Sequence, residues 1–400
     1  MSQPGQVNRR DFLRKSILGA GLGALAGGLV PAGVRKVLGE EPAAAPAPPP
    51  PAPIPKVKHR RLGRTNIEIS EVAGAADSLG EQLLFTNAWQ AGINYFHKAE
   101  KLFQHDWARA VLLKNRDQIF LDVVIDKMGE DDSYDEFERK RQQIGSEYVD
   151  FFKVHSTWKT VEDFQTKRGM LAAYDRLKKE KKVRWLALSK HGENTTEVLV
   201  AAMESGLFDA IQPAVKNCGA DFQRVLKVAQ EKNVGVICMK TGAGAQGKKA
   251  EFAKFGDPEK PFQTYYRYLL SLPGITSIVS NMKNMDQLRE NLGASGQPMT
   301  KAEVEALGLA LARSPADYRD CVACGQCHGS CPDGLAVADV MRYRMYAEDY
   351  GDRENAQRLY AEMPAAWRAA IATGTGLAEV RCPFGLPLAA ELQRAHRWLA

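Results

Sequence analysis

From about residue 70 to residue 281, short continuous apolar runs alternate with segments whose apolar residues recur every three or four positions. The runs are Glu71–Ala76, Ile93–Lys98, Ile119–Asp126, Val149–His155, Val183–Ser189, Ala210–Val215, Gly235–Lys240 and Ser277–Asn281. Most lack the in-out alternation of a half-exposed strand, as expected of parallel strands buried on both faces. Gly169–Lys182, Thr196–Ser205 and Phe222–Lys232 read as helices between them. Eight strands alternating with helices predict an α/β chain folded as a (β/α)8 barrel. A doubly wound open sheet is the alternative, but no Gly-x-Gly-x-x-Gly follows the first strand. After about residue 313 a cysteine cluster appears, then a helical stretch rich in Tyr and Arg, then a second Cys-Pro. That change predicts a mainly helical appended domain.

The segment before the barrel reads as an address. Asn8-Arg9-Arg10-Asp11-Phe12-Leu13 has the twin-arginine pattern, followed by an uncharged Gly/Ala/Leu stretch from Ser16 to Gly33. That stretch is too weakly apolar for a permanent spanning helix. Pro42 to Pro55 is uncharged and nearly all Pro and Ala, an extended, semi-rigid linker. The domains expected are therefore a signal at 1–33, a linker at 34–57, a barrel at 58–312 and an appended domain at 313–400. A chain of 400 residues can hold a large domain and an appendage. The formal charge is +6, and residues 1–55 carry six Lys/Arg against three Asp/Glu. Half of the excess thus precedes the fold. No basic run interleaves with aromatics, which argues against a nucleic-acid partner. The expected partner is the twin-arginine translocation machinery, and the expected location is the periplasm or the outer face of the membrane.

Several segments resemble the aldo-keto reductase family. They are Arg61-Leu62-Gly63-Arg64-Thr65, Ala91-Gly92-Ile93-Asn94-Tyr95-Phe96, Gly145-Ser146-Glu147-Tyr148-Val149-Asp150 leading to His155, and Lys178-Lys179-Glu180-Lys181-Lys182-Val183-Arg184 leading to Ser189. Gln212, Lys240 and Gln287-Leu288-Arg289-Glu290-Asn291-Leu292 carry the match to about residue 300. The resemblance implies carbonyl reduction by a nicotinamide hydride, with a Tyr acid, a Lys beside it, an Asp paired with the Lys and a His that orients the carbonyl. His155 falls on the His position, and Lys127 is the candidate for the Lys. His97 occupies the Asp position and Leu102 the Tyr position, with Phe103 beside it; neither Leu nor Phe can donate a proton. His97, Lys98, His105 and His191 also lie near strand ends on the catalytic face. For the cofactor, Ser189 and Gln212 fall where the family holds the nicotinamide amide, and Glu290 and Asn291 where it holds adenine. Lys240 extends that set, and Lys283 is the candidate near a 2′-phosphate. NAD(P) is the implied nucleotide.

Seven cysteines are present. Cys218 and Cys238 are isolated in the barrel and read as buried apolar side chains. Cys321, Cys324, Cys327 and Cys331-Pro332 form C-x2-C-x2-C-x3-C-P, the bacterial ferredoxin run. The spacing lets three thiolates converge on one cubane, and Gly325 eases the turn between them. Disulfides are the alternative in an exported chain. In two-cluster ferredoxins the fourth Cys of each run serves the other cluster. Counted back from Cys382-Pro383, the three matching positions are Ala372, Thr375 and Ala378. One 4Fe-4S cluster is therefore expected on Cys321, Cys324, Cys327 and Cys382, with Cys331 as the alternative fourth ligand. This resembles the tail of two-cluster aldo-keto-reductase-like proteins with one site lost.

The sequence thus points to an exported iron-sulfur oxidoreductase of aldo-keto reductase type with an incomplete tetrad. The alternative is a non-catalytic electron-transfer or binding protein on a decayed barrel. A hydride carries two electrons and one cluster accepts one, so direct exchange needs a mediator and an electron donor or acceptor.

Overall fold

The structure, a computed structural model, describes residues 52–155, 157–192, 194–215, 219–241, 248–313, 321, 327, 334–348, 352–382 and 386–400. The twin-arginine segment, most of the linker, Cys218, Cys324 and Cys331 lie outside the described residues. A hairpin comes first: β1 (His59–Arg61) pairs antiparallel with β2 (Glu68–Ser70). Eight parallel strands follow: β3 (Val72–Ala75), β4 (Tyr95–His97), β5 (Phe120–Ile125), β6 (Val149–His155), β7 (Val183–Lys190), β8 (Ala210–Pro213), β9 (Gly235–Cys238) and β10 (Ile275–Ser280). They run in sequence order around a closed barrel, with β10 back against β3. Every apolar run of the sequence is thus a barrel strand, to within a few residues at each end.

Side chains alternate between two environments along each strand. Leu121, Val123, Phe152, Val154, Leu186 and Leu188 belong to the outer layer between sheet and helices. Tyr95, Phe151, Ala187, Ala210, Ile237 and Val279 fill the interior, together with Leu62 and Ile69 of the hairpin, which plugs the N-terminal end. Gly63 lets the hairpin sit there: its φ is +47°, and a Cβ would lie 2.4 Å from the Gly235 nitrogen. Arg64 fixes the plug through the Asp209 carboxylate and the Gly206 and Phe208 carbonyls.

After the barrel come the helix Lys301–Arg313 and a tail with its own apolar cluster. The tail helices are Val337–Glu348, Arg353–Ala361, Ala365–Thr373 and Leu388–Leu399. Val337–Glu348 is buried on nearly all sides because it packs on the tail and on the C-terminal mouth of the barrel at once. Gly192, at φ +92°, permits the approach: a Cβ there would meet Asp339 Oδ1 at 3.1 Å. Barrel and tail form one compact unit from Ala52 to Ala400. Among the described residues, no helix is long and apolar enough to cross a membrane.

Candidate functional site

On β6, Phe151, Lys153 and His155 climb the barrel interior at spacing two. They run from an apolar floor, through a buried cation, to the mouth. Lys153 and Asp122 are both fully buried, with Nζ 2.6 Å from Oδ2. Tyr95 Oη donates to the same Asp122 oxygen at 2.6 Å and accepts from Lys153 at 3.0 Å. Lys153 also donates to Gln212 Oε1, and the Lys98 amide donates to Asp122 Oδ1 at 3.1 Å. His97 Nδ1 lies 3.0 Å from Asp122 Oδ1. Burial alone would raise the Asp122 carboxyl, but His97 and Lys153 hold it well below the usual range. Burial pulls Lys153 down against the attraction of Asp122, and pushes the Tyr95 phenol up with help from that carboxylate. The cluster is an ammonium–carboxylate pair with its hydrogen-bonding capacity taken up inside the barrel.

One layer higher, barrel and tail share a chain of polar contacts. Asp126, just past β5, accepts from His155 Nδ1 at 2.7 Å. His155 Nε2 meets His191 Nε2 at 3.0 Å, and His191 Nδ1 meets the Arg342 guanidinium at 3.1 Å. Tyr346 Oη lies 3.2 Å from His191 Nε2 and 3.4 Å from His155 Nε2. Burial lowers His155 to about 4 although Asp126 opposes it; Arg342 and Lys98 act in the same direction as burial. His191 is held well below the ordinary imidazole value by burial and by Lys240 and Arg342.

A cavity of about 710 Å³ opens from this chain of contacts, a size typical of ligand pockets. Its walls run from His97, His155 and His191 past Ser189 and Lys240 to Glu290 and Asn291, and the tail closes it with Arg342 and Tyr346. Lys98 and Lys240 both line it at strand ends in the left-handed region, with φ of 57° and 58°. Such strain in a non-glycine residue is concentrated at functional sites. Glu290 Oε1 accepts from the Phe262 amide at 3.0 Å, and Asn291 donates to Ser280 Oγ at 2.7 Å.

The structure brings His97, His155, Ser189, Lys240, Glu290 and Asn291 to one cavity, and Lys283 lines its far end. It does not bring Lys127 there. Lys127 is exposed, and the preceding residue, Asp126, turns toward His155 instead. Gln212 is also off the cavity wall: it is 1% exposed, sunk one layer inward with Lys153. Its Nε2 is buried without a hydrogen-bond partner among the described residues. His105 stacks on Trp107 outside the cavity. Leu102 is fully buried in the apolar layer around the barrel.

In the tail, Cys327 belongs to the apolar cluster, and Cys321 and Cys382 pack against it, although 55 residues separate Cys327 from Cys382. Cys321 also lines the cavity. Among the described residues, no three His, Cys, Asp or Glu side chains are grouped closely enough to hold a metal ion. Cys324 and Cys331 fall outside that set.

Sequence reasoning missed Asp122, Lys153 and Asp126 as interior groups, and Arg342 and Tyr346 as mouth residues. Charged residues inside the apolar runs Phe-Leu-Asp-Val-Val-Ile and Phe-Phe-Lys-Val-His were the available signal for the first two. Nothing local in the tail marks Tyr346.

No protein-family model matches the sequence, and no curated protein matches it. Solved structures do. A Bacillus halodurans aldo-keto reductase in its holo form is 16% identical, with a TM-score of 0.52, over 66% of this chain and 100% of that one. Its apo form, also 16% identical, gives a TM-score of 0.53 over the same shares of the two chains. With its closed eight-stranded parallel barrel and this likeness, the chain has the (β/α)8 fold of the aldo-keto reductases.

Proposed function

We propose that this chain is an exported oxidoreductase of aldo-keto reductase type that holds a nicotinamide nucleotide in the cavity and one 4Fe-4S cluster in the tail. The observation that carries the reductase reading is the single cavity joining the histidine-rich mouth to Glu290 and Asn291. Its size and donor set fit a dinucleotide. Ser189, whose hydroxyl makes only a weak contact to the Met239 sulfur at 3.7 Å among the described residues, would orient an amide. Asn291 and Glu290 line the same cavity and would hold the adenine, and Lys283, also on its wall, would grip a phosphate. When bound, a reduced nicotinamide supplies a hydride. The chain's own part is to bind and orient a carbonyl beneath the tail, exclude water and deliver a proton.

The cluster rests on the sequence alone, on the ferredoxin run Cys321, Cys324, Cys327 and on Cys382. Export rests on Arg9-Arg10, a route that carries folded proteins with cofactors already inserted. Burial of Leu102 at the usual acid position favours the second reading, an electron-transfer or binding protein on a decayed barrel.

Calorimetric titration of the full chain with NADH and with NADPH separates the two. Saturable binding of either, weakened at least tenfold in Glu290→Ala, is expected. No binding of either nucleotide would remove the reductase reading and leave the second.

A further inference from the structure

A carbonyl reduced in this cavity needs a proton donor, and Leu102, at the acid position that the resemblance implies, is buried and has no proton to give. The histidines at the mouth are poorly placed to donate, for a reason the hydrogen bonds fix. Arg342 is a donor only, so His191 Nδ1 is an acceptor. A neutral His191 therefore carries its proton on Nε2 and donates it to His155 Nε2. His155 then carries its proton on Nδ1, where Asp126 accepts it. His97 is different: its Nδ1 lies 3.0 Å from the Asp122 carboxylate and 3.3 Å from the Lys153 ammonium, within the buried cluster below. Among the described residues, His155 and His191 thus line the cavity with their protons committed to protein partners.

Among the described residues, two phenols line the cavity. Tyr266 Oη is held between Thr241 and Ser280, on the Asn291 side. Tyr346 reaches in from the tail helix and sits at the histidine end, with Oη within 3.4 Å of both His155 Nε2 and His191 Nε2. The Lys240 ammonium lies 5.6 Å from the centroid of the Tyr346 ring, a positive charge beside a group that would become a phenolate.

We propose that Tyr346 is the proton donor of the barrel's reaction, an acid supplied by the tail in place of one missing from the barrel. The proposal rests on the reductase reading above. In the step, the carbonyl carbon gains a hydride, with its electron pair, from a reduced nicotinamide. The carbonyl π pair moves to oxygen, which takes the Tyr346 proton as the phenol O–H bond breaks. The carbonyl is reduced by two electrons and the nicotinamide oxidised by two. After the alcohol leaves and the cavity opens to solvent, a solvent proton restores the phenol.

Two measurements on the full chain test it. Without any cofactor, ¹⁵N imidazole spectra of histidine-labelled protein should show His155 as the Nδ1–H form and His191 as the Nε2–H form. Tyr346→Phe should shift the His155 Nε2 resonance, while Tyr360→Phe, a tail phenol bonded to His396, should not. Unmoved His155 and His191 signals in Tyr346→Phe would overturn the contact and the proposal. With NADPH, single-turnover reduction of 9,10-phenanthrenequinone and 4-nitrobenzaldehyde should fall at least ~100-fold in Tyr346→Phe, the lower range for a general acid. Nucleotide affinity should be unchanged in that variant, and Tyr360→Phe should keep the wild-type rate. Equal rates in wild type and Tyr346→Phe would overturn the proposal and leave the reductase reading standing. Nucleotide binding without turnover of either compound by the wild type would overturn the reductase reading, and this proposal with it.

Discussion

His155 should make this protein acid-sensitive in a defined window. The side chain is 15% exposed and lies among Asp126, His191, Arg342, Lys98 and Tyr346. Burial, with Arg342 and Lys98 nearby, lowers it from 6.5 to about 4 despite the pull of Asp126. A folded value below the unfolded one means that the unfolded chain takes up the proton first. Stability from this group is therefore intact above 6.5, falls as the pH drops from 6.5 to about 4, and falls no further below that. At ~1.36 kcal/mol per pH unit the loss is about 3 kcal/mol. His155→Asn removes the titrating group and should flatten this part of the profile, although the variant starts lower for want of the Asp126 hydrogen bond. The assay is urea unfolding of the full chain at a series of pH values from 7.5 to 4, paired with the ¹³C titration of labelled histidine rings. The expected result is a His155 midpoint near 4 and a wild-type stability loss about 3 kcal/mol greater than that of His155→Asn. A His155 midpoint at or above 6.5 would show that the mouth is wet and that the tail does not cover it as described.

Lys153→Met should destabilise the barrel by about 3 to 5 kcal/mol, because Asp122 would keep its buried charge without the ammonium; urea or thermal unfolding reads this directly. Cys382→Ser should lose a stable cubane after anaerobic reconstitution, judged by iron content and the visible charge-transfer band, whereas Cys331→Ser should keep full iron. The reverse result would assign the fourth ligand to the contiguous run. Arg9→Lys with Arg10→Lys should leave a folded protein in the cytoplasm, as cell fractionation would show; normal export of the double variant would refute the twin-arginine assignment.

The strands were legible because parallel strands buried on both faces are continuous apolar runs, and Val149–His155 and Val183–Lys190 match what their sequences announce. The hairpin was less so: Arg61-Leu62-Gly63-Arg64-Thr65 carried the family resemblance, but its role as a plug depends on Gly235 and Asp209, far along the chain. At the mouth, positions transferred from the resemblance located His97, His155 and Ser189, since strand ends fix them. Lys127 does not reach the cavity because β5 ends at Ile125, two residues before it; Asp126 meets His155 and Lys127 is left exposed. Gln212 reached the right strand but the wrong depth, drawn to the buried Lys153 ammonium. Tyr346 and Arg342 could not be found from sequence, because their meaning comes from a tertiary contact 151 to 191 residues away.

Native mass spectrometry of anaerobically purified full-length protein, before and after incubation with NADPH, tests most directly whether this chain joins a nicotinamide-binding barrel to an iron-sulfur tail. The expected spectrum shows the polypeptide with the added mass of four iron and four sulfide ions, and a further species heavier by one nucleotide. A spectrum of bare polypeptide that gains neither mass would contradict both halves of the assignment.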